Sequence, residues 1–157
     1  MKKVVKLLTL GVVLIMGLGI FAGCGGNKYN AVLYDDAGEW IKESFLDENI
    51  TYQNNDARVP NAKSFIIRNQ TEFESIFLEF PHEIDFENEM FLLYVFACEL
   101  GGRSYKIRKM IVENQNLTIE YKVDSNTIFN WSSAPWLRCF VVRMDKVDIL
   151  SAEFKRV

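Results

Sequence analysis

His82 is the only histidine among 157 residues and directly follows Pro81. General acid–base catalysis by histidine needs a nucleophile or carboxylate within reach, and zinc needs several His or Cys ligands at short spacing. Neither a Gly-x-Ser-x-Gly elbow nor a His-Glu-x-x-His pair occurs. The chain thus presents no catalytic set, metal cluster or cofactor motif, and reads as a non-enzyme. Glu83, Asp85, Glu87 and Glu89 alternate with Ile84, Phe86, Asn88 and Met90. In an extended chain these carboxylates share one side, where they either attract calcium or a cationic ligand or are simply solvated. The run lacks the glycine turn and ligand spacing of an EF-hand. Arg103, Lys106, Arg108 and Lys109 form an opposite patch, either a wet strand face or a surface for an anionic envelope polymer or lipid headgroup. Trp131, Pro135 and Trp136 enclose a polar loop of small residues. They either contact a partner or fold back to plug the open end of a sandwich.

Cys24 points to a different chemistry. Lys2, Lys3 and Lys6 make a positive start, 7–20 is apolar, and Ala22-Gly23 supply small residues just before the thiol. The apolar run is shorter than the roughly 20 residues a membrane span needs, and Gly11, Gly17 and Gly19 interrupt it. The pattern resembles the signal peptide and lipobox of bacterial lipoproteins, which implies a diacylglyceryl group on Cys24 and cleavage before it. Two or more acyl chains hold a protein on a bilayer almost indefinitely. The expected organisation is therefore a signal peptide over 1–23, a flexible glycine-rich linker over 24–33 carrying the lipidated cysteine, and one β-rich domain over 34–157. The expected location is extracytoplasmic, on the membrane. The formal charge of −3 falls to about −6 once the three leader lysines are removed, which argues against a nucleic-acid partner. The remaining cysteines, Cys98 and Cys139, either form a disulfide, which export permits, or act as buried small hydrophobes.

Asp35 and Asp36 are placed to cap a helix with Ala37, Ile41 and Phe45 on one face and Trp40 beside them. A strand is expected over 64–68. Asn69 with Glu72 then starts a helix bearing Phe73, Ile76, Phe77 and Phe80, ended by Pro81. Residues 90–98 are an uninterrupted apolar run, the mark of a central strand. Alternation over 117–123, after a strand over 105–112, makes a hairpin. Further strands over 137–144 and 150–156 complete an α+β fold: an antiparallel β-sandwich or half-open barrel with one or two packed helices.

Over 91–144 the order of Leu92-Leu93-Tyr94-Val95-Phe96, Gly101-Gly102 with Tyr105, the hairpin, and Pro135 before Cys139-Phe140-Val141-Val142 resembles the C-terminal domain of the protease complex subunit PrcB family. That resemblance implies an exported, often lipid-anchored β protein that binds another exported protein, such as a protease, rather than catalysing a reaction. The expected function is a tethered binding module, with adhesion to an anionic polymer as the alternative and a small envelope hydrolase as a weaker one.

Overall fold

The computed structural model describes residues 29–35, 37–53, 59–98, 104–123 and 136–157. Among the described residues the strands are β1 (Ala31–Tyr34), β2 (Lys63–Ile67), β3 (Glu89–Cys98), β4 (Tyr105–Glu113), β5 (Asn116–Val123), β6 (Trp136–Asp145) and β7 (Ser151–Arg156). They form a four-stranded sheet, ordered β1-β6-β3-β2, and a three-stranded sheet, ordered β4-β5-β7. The helices α1 (Glu43–Asn49) and α2 (Gln70–Ile76), with a 3₁₀ turn at Gly38–Trp40, accompany them.

The apolar run of β3 is explained by burial on both faces. Side chains alternate across a strand. Met90, Leu92 and Phe96 face β4, β5 and β7 in one core with Leu117, Ile119 and Phe140. Phe91, Leu93 and Val95 face the helical layer in a second core with Ile67, Phe73 and Val141. The result is a sandwich with helices on the far side of its larger sheet, built as expected from the strand pattern.

Polar bonds close both seams between the sheets. At one, the Tyr105 backbone N–H donates to Asp35 Oδ2 at 2.9 Å. At the other, the Ser64 hydroxyl donates to the Ala152 carbonyl and the Arg68 guanidinium to the Ile149 carbonyl, both at 2.6 Å. The β4–β5 hairpin turns on Asn114 and Gln115, with φ of 51° and 60°. Two consecutive left-handed residues match the right-handed twist of the flanking strands.

Several expectations need correction. Residues 31–33, expected to end a flexible linker, belong to β1 and pair with β6 from Met144 to Val142. Asp35 does not cap a helix, because its carboxylate binds Tyr105. The expected helix breaks after Trp40. Ile41 bridges Phe77, Lys42 N–H donates to the Ile76 carbonyl at 2.9 Å, and Leu78 N–H donates to the Trp40 carbonyl at 2.8 Å. This extended pairing replaces the next helical turn. For the same reason α2 ends at Ile76, short of Phe80 and Pro81. Its start is as read: Asn69 Oδ1 accepts from Glu72 N–H at 2.9 Å, and Glu72 Oε2 accepts from Arg68 N–H at 2.7 Å. β7 lies parallel to β5, so the smaller sheet is mixed rather than wholly antiparallel.

Candidate functional site

The strand ends Cys98, Tyr105, Val123 and Trp136 gather at one end of the sandwich. Cys98 pairs with Trp136 across the β3–β6 ladder, and Tyr105 with Val123 across β4–β5. Cys98 Sγ and Tyr105 Oη share a hydrogen bond of 3.0 Å, which ties the two sheets together there. Behind it, the Phe140 ring meets those of Phe96 and Tyr105 at 4.6 Å and Tyr121 at 5.3 Å. Such edge-to-face contacts add directional preference to apolar burial.

Burial, reinforced by the Cys98 bond, pushes the Tyr105 phenol well above its ordinary pKa. Burial does the same to Tyr121 and, to a smaller extent, to Tyr94. These phenols remain protonated at neutral pH, so they serve as packing and hydrogen-bonding groups rather than as bases. The floor of this end is thus built from packed, protonated aromatic groups.

Trp136 lies at this end, paired with Cys98. It begins β6 on the face that looks toward the smaller sheet, yet 42% of its surface is exposed. Arg138, two positions along on the same face and opposite Phe96, is half-buried. A large aromatic group on rigid backbone beside a guanidinium is the composition of an interaction hot spot. Arg103, Trp131 and Pro135 lie outside the described residues.

The expected basic residues divide. Lys106 follows Tyr105 at this end and pairs with Lys122, whereas Arg108 sits farther along β4, where the register slips between Ile107 and Lys109. Both are exposed. Cys24 lies outside the described residues.

Cys98 and Cys139 are free thiols, both buried. They belong to different cores, on opposite faces of the larger sheet, so their Cβ vectors diverge and no bridge fits. Burial raises the Cys139 thiol to about 12. In this structure each cysteine packs as a small buried group in its own core.

The acidic run does not line one strand. Asp85 folds back in a turn, accepting from Glu87 N–H at 3.0 Å and the Asn88 amide at 2.8 Å. The Asn88 bond first, then that from Glu87, lowers its carboxyl pKa. Glu89 begins β3 and receives a two-pronged Arg143 guanidinium at 2.9 and 2.7 Å. Among the described residues no group of three His, Cys, Asp or Glu is placed to hold a metal. The exposed His82 ring lies against Tyr34 and Phe80, at 5.6 and 5.7 Å.

One groove of about 460 Å³ runs between β2, α2 and the start of β7, lined by Ser64, Phe65, Arg68, Glu72, Leu150 and Ala152. Its Ser64, Arg68 and Glu72 side chains are engaged in the seam and helix-cap bonds already described. No family model, curated protein or solved structure matches this chain.

What sequence reasoning missed at the Trp136 end is its polar joint. Tyr105 and Cys98 stand three positions either side of the Gly101-Gly102 pair, but that spacing does not say that ring and thiol meet, which follows only from the stacking of two sheets.

Proposed function

We propose that this protein is a membrane-anchored extracytoplasmic lipoprotein that presents one end of its sandwich to another exported protein. The observation that carries the reading is the direction of the chain. Asn30 is fastened to Asp145 by a backbone bond of 3.2 Å and by its own N–H to Oδ2 at 3.0 Å. Trp136 is at the other end of the same strand. A ten-residue strand spans about 30 Å. An anchor on Cys24 therefore pulls on one end of the molecule and leaves the Trp136 end facing away from the bilayer.

The leash is also short. Only four residues lie between Cys24 and Tyr29, which packs on the inter-sheet core, so five extended steps keep the domain within about 18 Å of its lipid. Height above the membrane then comes from the length of the sandwich rather than from a long flexible stalk. The resemblance to the PrcB family over 91–144 points to the same kind of work, binding to an exported protein.

A photo-crosslinking residue at position 136, compared with one at position 148 on the anchor side, tests this in the native envelope. The expected result is a discrete protein adduct from 136 and none of that species from 148. The same adduct from both positions, or lipid adducts from 136, overturns the proposal. Mass spectrometry that finds an unmodified thiol on residue 24 overturns the anchor.

A further inference from the structure

We infer that Tyr105 is a positioning residue for Trp136, holding the indole ready for a partner through its hydrogen bond to Cys98. The inference rests on the reading of the Trp136 end as a binding surface, and it names what orders that surface before a partner arrives. The pairing register is its first support. Trp136 opens β6 directly opposite Cys98, the last residue of β3. Both lie an even number of positions from core residues, Cys98 from Phe96 and Trp136 from Phe140, so both point to the inter-sheet face. Side chains directly opposite in an antiparallel pair have Cβ atoms about 5 Å apart. β1 follows β6 only as far as Val141. Among the described strands, Cys98 is therefore the residue opposite Trp136, and no strand flanks the tryptophan on its other side.

Cys98 is fixed in turn from the smaller sheet. Its Sγ lies 3.0 Å from Tyr105 Oη. Tyr105 is itself gripped along its whole length. Its backbone N–H donates to Asp35 Oδ2 at 2.9 Å, and its ring meets Phe140 at 4.6 Å and 61° and Phe96 at 6.0 Å and 87°. A phenol held at backbone, ring and tip cannot follow a moving neighbour, so the thiol stays where the phenol puts it. Sulfur beside an aromatic ring favours a place near the ring edge, about 5 Å away. A fixed thiol thus restricts the rotamers open to the indole across the strand pair.

The Tyr105 hydroxyl is not needed to fill space. A phenylalanine ring would occupy the same site between Phe96, Phe140 and Tyr121. What the hydroxyl adds is a bond to the side chain opposite Trp136, and that is where a binding surface benefits. An exposed tryptophan that wanders must be ordered when a partner docks, which subtracts from affinity, whereas one ordered beforehand avoids that loss. The other residues at this end have different register partners: Arg138 opposes Phe96, and Val123 opposes Tyr105 within the smaller sheet.

The test uses the mature, lipidated chain in uncharged detergent micelles, with fluorotryptophan in place of tryptophan. Fluorine NMR resolves each indole, and Trp136→Phe identifies the signal of interest by its loss. Tyr105→Phe keeps the ring and removes the bond. It is expected to move the Trp136 signal toward that of free fluorotryptophan and to narrow it, while the Trp40 signal, from the core under the helices, stays in place. Cys98→Ala should also release the indole, and Tyr105→Phe should then add nothing further, because the hydroxyl acts through the thiol. Added to envelopes whose anchored chain carries a crosslinker at position 136, the purified wild-type chain should compete for the protein adduct, and Tyr105→Phe should need about threefold more protein to do so. A Trp136 signal unaltered by Tyr105→Phe, an equal change at Trp40, a further change on top of Cys98→Ala, or equal competition by Tyr105→Phe overturns the inference. Envelopes in which position 136 forms no protein adduct refute the binding surface instead, and the fluorine signals then decide the role of Tyr105 by themselves.

Discussion

Two cores on opposite faces of one sheet should behave as two independent packing problems, which a pair of double-mutant cycles can measure. Phe140 and Phe91 are both fully buried. Phe140 belongs to the inter-sheet core and Phe91 to the core under the helices. Replacing either ring by leucine removes a few carbons' worth of apolar contact without opening a large cavity, a cost of about 1–2 kcal/mol each. Because the backbone of β3 and β6 separates them, the double variant Phe91→Leu, Phe140→Leu should cost the sum within about 0.5 kcal/mol. The contrasting cycle joins Phe140→Leu with Tyr121→Leu, whose rings sit 5.3 Å apart at 86°. There each single change already forfeits the shared ring contact, so the double variant should cost less than the sum, by about 0.5–1.5 kcal/mol. Urea unfolding followed by tryptophan fluorescence and by far-ultraviolet dichroism gives each stability. Coupling above about 0.5 kcal/mol in the first cycle, or none in the second, would refute the division into two cores.

The helix cap and the buried acids give further tests. Asn69→Ala removes the acceptor for Glu72 N–H and should destabilise the protein by about 1 kcal/mol, read as a lowered urea midpoint with an unchanged slope. Stability should also fall in alkali. Cys139 is raised by burial from 9.0 to about 12, so the unfolded chain releases this proton first. Its contribution is full below about pH 9 and is lost as pH climbs from there toward 12, at up to about 1.4 kcal/mol per pH unit. Cys139→Val should shallow that decline, and an identical decline in the variant would show that this thiol is not responsible. The raised phenols of Tyr94, Tyr105 and Tyr121 add to the same loss above their ordinary range near pH 10.

The elements legible in the sequence are those whose pattern is local. Leu117, Ile119 and Tyr121 alternate with Thr118, Glu120 and Lys122, so β5 and its hairpin with β4 followed from period alone. β3 was recognisable because burial on two faces leaves no polar position between Met90 and Cys98. The start of α2 was visible in Asn69 and Glu72, but its end was not. Phe77 and Phe80 continue the helical spacing while the chain is already extended, and the Phe80 ring still reaches Phe73 at 5.7 Å. β1 was hidden for a different reason. Ala-Val-Leu-Tyr is too short to signal a strand, and its partner lies far along the chain. At the candidate site Trp136 was singled out with Trp131 as one of two tryptophans flanking a polar loop of small residues. The Cys98–Tyr105 joint was not, since it exists only once two sheets have been stacked. The seam bonds of Asp35, Ser64 and Arg68 share that origin: a polar side chain reaching a distant carbonyl or amide leaves no periodic trace.

The fastening of Asn30 to Asp145 spans 115 positions, and it orders events in time as well as in space. Contacts between distant segments cost loop-closure entropy before they give any return. A polypeptide made from its amino end thus produces β1 early and must keep it waiting until β6 has followed. β5 likewise gains its second neighbour only when β7 arrives. Neither sheet can be completed from a partial chain, so a truncated product lacking its final dozen residues would expose Leu117 and Ile119 along an open ladder and become a substrate for quality-control proteolysis.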